Sequence, residues 1–164
     1  MENVRLLDTP EQQTEWIREV LCRQTEALAG AGFTDIAFMV IGQGIETMGA
    51  FLDKKPFRAP GQSHERFDKA LAELFPPRYA ELNGRGFLYR NLRSSLTHLS
   101  VGSPHLILSG NGKEGRHLSI KDKKTLLVLP DLLSDYTAAW EKVIARLTDG
   151  SLRIKPLASS LKQP

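Results

Sequence analysis

A short stretch in the middle of the chain carries the side chains best suited to chemistry: two arginines, Arg90 and Arg93, and a histidine, His98. A guanidinium group can bind two phosphate oxygens at once, and an imidazole gains or loses a proton near neutral pH. Together these groups are sufficient to bind a phosphodiester and to move the protons that its cleavage requires, without a metal ion.

The same stretch is expected to form an amphipathic helix. At about 100° per residue, a stripe of leucines falls on one side of this helix: Leu88, Leu92, Leu96 and Leu99. Arg90, Arg93 and His98 are then predicted to share the opposite face, where they meet either solvent or another subunit. The alternative is that they form the ordinary polar face of an amphipathic helix.

The segment from Arg93 to His98 reads Arg-Ser-Ser-Leu-Thr-His, and it resembles the signature of the HEPN superfamily (higher-eukaryote and prokaryote nucleotide-binding domains). That signature is an Arg, four to six residues and then a His, at the end of a late helix in a helical bundle. The resemblance implies that Arg93 and His98 are the catalytic residues. It also implies a homodimer in which the two copies of the motif form one composite site, which cleaves RNA without a metal and leaves a cyclic phosphate.

The resemblance is compatible with two classes of function. The first is RNA or nucleotide binding, or metal-independent RNA cleavage, by a homodimer. The second is a non-catalytic interaction or dimerisation module, because many HEPN-like bundles have lost activity; such a module would hold a partner such as a nucleotidyltransferase-like protein. Fold resemblance alone does not decide between them.

Three further residues are candidates for supporting roles. Arg90 and Tyr89 are expected to bind substrate, Tyr89 by stacking on a base, although packing beside the leucine stripe is the alternative for this ring. Glu46 lies in an otherwise apolar segment, where an unpaired carboxylate is costly, so it should pair with Arg93 or Arg90. It would then orient the guanidinium; a purely structural pair or a solvent-facing position is the alternative.

The sequence gives no indication of a metal or a cofactor. Cys22 is the only cysteine, and the four histidines, His64, His98, His105 and His117, show no pair at helical ligand spacing. The glycine-rich stretch from Gly110 to Gly115 lies between two predicted strands and is expected to be a hairpin turn, because a phosphate-binding loop needs a helix after it.

Composition indicates one globular domain of 164 residues, with a net charge of +3 that permits nucleic-acid binding without predicting it. A lone cysteine favours a reducing compartment. The N-terminus lacks a secretory signal pattern, and the apolar run from Ile36 to Leu52 is shorter than the ~20 residues of a bilayer span. We therefore predict a cytoplasmic protein with no membrane contact.

Periodicity predicts a mainly α fold, an HEPN-like four- to five-helix bundle occupying residues 1–150, followed by a tail over 151–164. Helices are expected over about 10–29, from Thr34 to before Pro56, from a cap at Ser63 to Phe75, over 88–99, and from a cap at Asp131 to Gly150. A small antiparallel β-meander is expected over about 104–129. Gly42 and Gly49 in the apolar second helix predict a close crossing with another helix.

Overall fold

The computed structural model describes residues 5–99 and 102–159, and these form a mainly helical fold with a small three-stranded sheet. The first helix is continuous but mixed: α1 (Pro10–Trp16) passes through a π-helical segment (Ile17–Arg23) into α2 (Gln24–Gly30). The remaining elements are listed in chain order: α3 (Thr34–Leu52), α4 (Ser63–Leu74), α5 (Pro77–Leu82), a 3₁₀ turn (Gly84–Gly86), a π-helical segment (Tyr89–Ser94), α6 (Ser95–Leu99), β2 (Leu106–Ser109), β3 (Ile120–Lys121), β4 (Lys124–Val128) and α7 (Leu129–Thr148), with β1 (Arg5–Leu7) and β5 (Leu157–Ser159) near the two ends.

The predicted helices are present, with small differences at their ends. A capping box closes the start of α1: the Thr9 hydroxyl accepts from the backbone of Gln12, and the Gln12 side chain accepts from the backbone of Thr9. The predicted caps at Ser63 and Asp131 are wrong, because both residues already lie inside the first helical turn. Helix α5 was not predicted; it begins at Pro77, and a proline fits the first position of a helix.

Helix α3 is the centre of the core and packs against α2, α4 and α7. It is the one described helix long and apolar enough to cross a membrane by length and composition, and 56% of that window is buried inside the protein. A core helix passes the same test, so this property does not bear on the predicted location. Along α3 the buried apolar side chains recur at helical spacing: Ala37, Phe38, Ile41, Ile45, Met48 and Leu52.

The glycines of α3 lie where other elements approach most closely. A Cβ atom at Gly42 would lie 3.2 Å from the Cα of Arg93, and a Cβ atom at Gly49 would overlap the backbone carbonyl of Arg66 in α4. At both positions the neighbour is backbone, which cannot rotate away. The predicted close crossings are therefore confirmed, and each glycine allows a second helical element to contact α3.

Replacing Gly49 with alanine is expected to destabilise the protein by roughly 1–3 kcal/mol, because the added methyl overpacks against the α4 backbone. Gly30, at the end of α2, is the matched control, since a Cβ atom there meets nothing within 4 Å. Gly30→Ala should leave stability unchanged or slightly higher. Thermal and urea unfolding of the two variants measure this difference, and equal stabilities would contradict the close packing of α3 on α4.

The β insert is a mixed sheet, so the predicted antiparallel meander is wrong. Strand order is β2-β4-β3, with β2 parallel to β4 and β3 antiparallel to it. The two-residue turn Asp122–Lys123, with positive φ at both positions, joins β3 to β4 as a tight hairpin. The predicted hairpin at Gly110 is instead part of a longer connection that carries the chain back, so that β2 and β4 run in the same direction.

The insert is fastened to the bundle by a chain of three side chains. His117 Nδ1 accepts from the Val128 backbone, which leaves Nε2 as the protonated nitrogen, 2.8 Å from the Tyr79 hydroxyl. Tyr79 in turn donates to Asp135 at 2.7 Å. Burial raises the pKa of Tyr79 and lowers the pKa of His117, so both groups are held neutral. Both ring nitrogens of His117 and the hydroxyl of Tyr79 are thus engaged in contacts within the domain.

The predicted tail is also wrong for the residues that are described. Strand β5 pairs antiparallel with β1, Leu157 opposite Leu7. The Gln13 side chain, fully buried, donates to the carbonyls of Leu7 and Lys155 at 2.9 and 2.7 Å and so holds β1 and the segment that leads into β5 against α1. Residues 151–159 are therefore part of the folded domain; the rest of the predicted tail, 160–164, lies outside the described residues.

Candidate functional site

The helix that carries the Arg93–His98 motif is not a regular α-helix. From Tyr89 to Ser94 it is π-helical, and the Ser95 amide donates to the Arg90 carbonyl, five residues back. A π-helical turn holds more residues than an α-helical turn, so side chains shift around the axis relative to the 100° rule. The predicted common face of Arg90, Arg93 and His98 depends on that rule, and the structure does not reproduce it.

Arg93 turns towards α3 instead of away from it. Its side chain is only 11% exposed, and its Nε atom lies 2.5 Å from Oε2 of Glu46, whose side chain is 19% exposed. The contact is an ion pair whose angle falls short of an aligned hydrogen bond. Gly42, one turn earlier on α3, gives the Arg93 backbone room to approach. The carboxylate thus fixes the Nε edge of the guanidinium.

His98 lies at the surface beside the outer edge of the same guanidinium. Its Nε2 atom is 3.4 Å from Nη1 of Arg93. A guanidinium only donates hydrogen bonds, so the imidazole must accept through Nε2 in this contact. Helix α6 is held against α3 by the Gln43 side chain, which donates to the Thr97 hydroxyl at 2.7 Å. The structure therefore brings together three of the predicted site residues: Glu46, Arg93 and His98.

Tyr89 lies on the other side of Arg93, half-buried. The Arg93 guanidinium carbon is 5.9 Å from the centre of the Tyr89 ring. The ring also stacks on His64, with centroids 4.5 Å apart and planes 15° from parallel, and meets the edge of Phe67. One face of Tyr89 is thus occupied within the chain, which agrees with the packing alternative for this residue.

Arg90 is exposed and is directed towards the turn before the helix. Its Nη1 atom donates to the Arg85 carbonyl. Arg85 has φ = 57°, in the left-handed region that non-glycine residues rarely adopt. Arg90 therefore does not join Arg93 and His98 on one face, and it lies instead at the edge of the site.

His64 is a site residue that sequence reasoning missed. It lies in the first turn of α4, and its Nε2 atom is 3.3 Å from Oδ2 of Asp68, one helical turn later. The signal in the sequence is a His and an Asp at four-residue spacing on a predicted helix, so the partner of His64 is an aspartate and not another histidine.

Asp68 is itself held in place. The Asn83 side chain, 7% exposed, donates to Oδ1 of Asp68 at 2.5 Å, and its oxygen accepts from the backbone N–H of Tyr89 at 3.1 Å. Gly86, with φ = 71°, leaves the space beside the His64 ring, because a Cβ atom at Gly86 would overlap Nε2. His64 is thus an exposed histidine beside a fixed carboxylate, in a space that exists because residue 86 is a glycine.

No group of three or more potential metal-ligating side chains occurs among the described residues. Cys22 is buried, and burial raises the pKa of its thiol to about 12, so it is a poor nucleophile. The Gly110–Gly115 stretch is braced internally: the Ser109 hydroxyl accepts from the Gly112 amide at 2.9 Å and donates to Glu114.

The chemistry of this surface therefore centres on a row of contacts from His98 through Arg93 and Tyr89 to His64, here called the His98–His64 row. It combines one guanidinium that is fixed along one edge with two exposed imidazoles. No protein-family model, curated protein or solved structure matches the chain.

Proposed function

We propose that the protein binds RNA through its phosphates and cleaves it without a metal ion, acting as a homodimer. The observation that carries the proposal is the position of the Arg93 guanidinium: Glu46 holds its Nε edge, and its Nη1 atom lies 3.4 Å from Nε2 of His98. A fixed guanidinium beside an imidazole is suited to hold a phosphate next to a group that transfers protons.

In this proposal Glu46 restricts the guanidinium to one orientation, which lowers the entropy cost of holding a phosphate there. Arg93 stabilises the negative charge that grows on the phosphate oxygens in the transition state. His98 takes the proton from the ribose 2′-hydroxyl, so that the 2′-oxygen attacks phosphorus and the 5′-oxygen leaves. The products are a 2′,3′-cyclic phosphate and a 5′-hydroxyl.

The homodimer is proposed on the resemblance to HEPN proteins, in which two copies of the motif form one site. A two-fold interface uses the same patch of both subunits. His98 is exposed at the surface of the chain, so a second copy placed over α6 would bring two histidines and two arginines around one cleft.

A non-catalytic interaction module is the second candidate, and one observation favours it. Arg93 is already paired with Glu46, and its side chain is only 11% exposed. This is the arrangement expected of a purely structural ion pair between α3 and the π-helical segment Tyr89–Ser94. In that case the exposed face around His98 would bind a partner protein, such as a nucleotidyltransferase-like protein, and would not cleave RNA.

The purified protein is expected to cleave a mixed pool of single-stranded RNA in the presence of EDTA, since neither proposed role needs a metal. Mass spectrometry of the products should find 2′,3′-cyclic phosphate ends, and light scattering should find a dimer at tens of micromolar. RNA left intact, with a dimer present, would contradict cleavage and favour the interaction module. A monomer would contradict the composite site.

A further inference from the structure

Within one subunit, the His98–Arg93 pair supplies only one of the two proton transfers that RNA cleavage needs, and in the proposed dimer the competing source of the other is the partner's His98. One group must remove the proton of the 2′-hydroxyl, and another must protonate the leaving 5′-oxygen. We infer that His64, positioned by Asp68, is the second acid–base group of the same site. This inference rests on the proposed function and names a further catalytic residue for it.

The first support is how completely His64 is positioned. Its Nε2 atom is 3.3 Å from Asp68, and Asp68 is held by the buried Asn83 side chain. A histidine whose ring is oriented by a carboxylate, which is itself oriented by a third group, is the arrangement found where an imidazole transfers protons. The His64 side chain is nevertheless 48% exposed, so substrate can reach it.

The second support is its place in the His98–His64 row. The His64 ring stacks on Tyr89 at 4.5 Å, the Arg93 guanidinium lies 5.9 Å from the same Tyr89 ring, and His98 contacts that guanidinium. Arg90 adds a second positive charge beside His64, since its Nη1 atom would lie 3.4 Å from a Cβ atom at Gly86, next to the imidazole. The two imidazoles therefore lie at the two ends of the row, with the Arg93 guanidinium and the Tyr89 ring between them.

The nearest polar partners of the two rings assign the two roles. The Nε2 lone pair of His98 accepts from Arg93 in the free protein, and it becomes the acceptor for the 2′-hydroxyl proton when phosphate oxygens take the Arg93 N–H groups. Oδ2 of Asp68 lies 3.3 Å from Nε2 of His64, so Nδ1 is the ring nitrogen assigned to protonate the leaving oxygen. A His–Asp pair at four-residue spacing also occurs on helix surfaces merely as a weak stabilising contact, and this is the explanation to exclude.

The proposed step balances without a co-reactant. His98 takes the 2′-hydroxyl proton, the 2′-oxygen bonds to phosphorus, the bond from phosphorus to the 5′-oxygen breaks, and that oxygen takes a proton from His64. The protein gains one proton and loses one, and no electrons are transferred.

The test compares two kinds of substrate. RNA has an alkoxide leaving group that needs a proton, whereas nucleoside 3′-(4-nitrophenyl phosphates) have a leaving group that needs none. The His64→Ala variant is expected to cleave RNA about 100-fold more slowly than wild type. Its rate on a mixture of the four nitrophenyl esters should stay within a few-fold of the wild-type rate. His98→Ala should lose activity on both, because the base is still required.

A second readout is the pH profile of kcat/KM on RNA, which applies whether or not the esters are substrates. In a wild-type profile, kcat/KM falls on the alkaline side because the acid loses its proton. The His64→Ala variant lacks this acid, so its profile should not show that fall. Asp68→Asn, which keeps the His64 ring, should give a smaller loss of rate. His105→Ala, an exposed histidine on the β insert, is the control and should match wild type.

The outcomes separate this inference from the proposed function. If wild type cleaves RNA and His98→Ala does not, but His64→Ala equals wild type or loses the same factor on both substrates, only the role of His64 is overturned. If folded His64→Ala keeps the fall of kcat/KM at alkaline pH, the role of His64 as the acid is likewise overturned. Wild type without activity on RNA and esters overturns both. Circular dichroism of each variant establishes that it is folded.

Discussion

His98→Ala is expected to lower RNA cleavage by roughly 10²- to 10⁴-fold, the usual cost of losing a positioned acid–base group. The fold should be unaffected, because His98 is exposed and its side chain contacts the edge of Arg93 at 3.4 Å without entering the core. The apolar contacts of this helix come from Leu88, Leu92 and Leu96, all buried. The measurement is initial cleavage rate in EDTA, with circular dichroism and thermal unfolding on the same samples.

Arg93→Lys separates charge from geometry in the same assay. Lysine keeps the positive charge that Glu46 faces, but it cannot present two parallel N–H groups to a phosphate, so activity should still fall strongly. His105→Ala should cleave as wild type does. If folded His98→Ala and Arg93→Lys both cleave at the wild-type rate, the Arg93–His98 pair is not the catalytic centre.

The helical part of the fold is readable from sequence because its signals are local. Apolar periodicity gives α3 and α7, the Thr9 capping box gives the start of α1, and Gly42 and Gly49 mark real close contacts. The β insert is harder, since the difference between a meander and a parallel β2–β4 pair lies in the path of the connection and not in the composition of the strands.

The site is only partly readable for a specific physical reason. The residue types of the site can be read directly from the sequence. The pairing of Glu46 with Arg93 follows from the free-energy cost of an unpaired carboxylate among apolar side chains. The π-helical turn does not follow from the sequence, because no residue in Tyr89–Ser94 requires it; in the structure this helical segment packs on α3. That turn moves Arg93 from the predicted outer face to the α3 contact. The resemblance to HEPN proteins concerns residue types and spacing, which this shift leaves unchanged.

The folded structure of residues 151–159 was not predicted, because a few buried polar groups hold this segment and no periodic apolar pattern marks it. Asp53, just after α3, forms an ion pair with Arg66 at 2.6 Å and with Lys155 at 3.1 Å. Lys155 Nζ also donates to the carbonyls of Ala50, Asp53 and Lys55, which closes the C-terminal end of α3. Arg66 donates to the Phe57 carbonyl, so one carboxylate joins α3, α4, the loop between them and the C-terminal segment.

Asp53→Ala is expected to destabilise the protein by about 3–5 kcal/mol, because it leaves two largely buried cations, Arg66 and Lys155, without their anion. In a domain of this size that corresponds to a fall in Tm of roughly 10 °C. Glu141→Ala is the matched control: it removes the Arg18–Glu141 pair, whose side chains are 57% and 51% exposed, and should cost no more than about 1 kcal/mol.

The effect of Asp53 should also depend on pH in a defined direction. Burial alone would raise the pKa of Asp53, but hydrogen bonds from Arg66 and Lys155 outweigh it and hold the pKa below its ordinary value of 3.8. A carboxyl with a lowered pKa contributes stability that is complete above its unfolded-state pKa and is lost as pH falls through the folded-state pKa. The stability gap between wild type and Asp53→Ala should therefore be full at pH 7 and pH 5 and should narrow below pH 4. Unfolding in urea at pH 7, at pH 5 and at a pH below 4 measures the gap. A gap at pH 7 no larger than that of Glu141→Ala would show that the Asp53 cluster does not anchor the C-terminal segment.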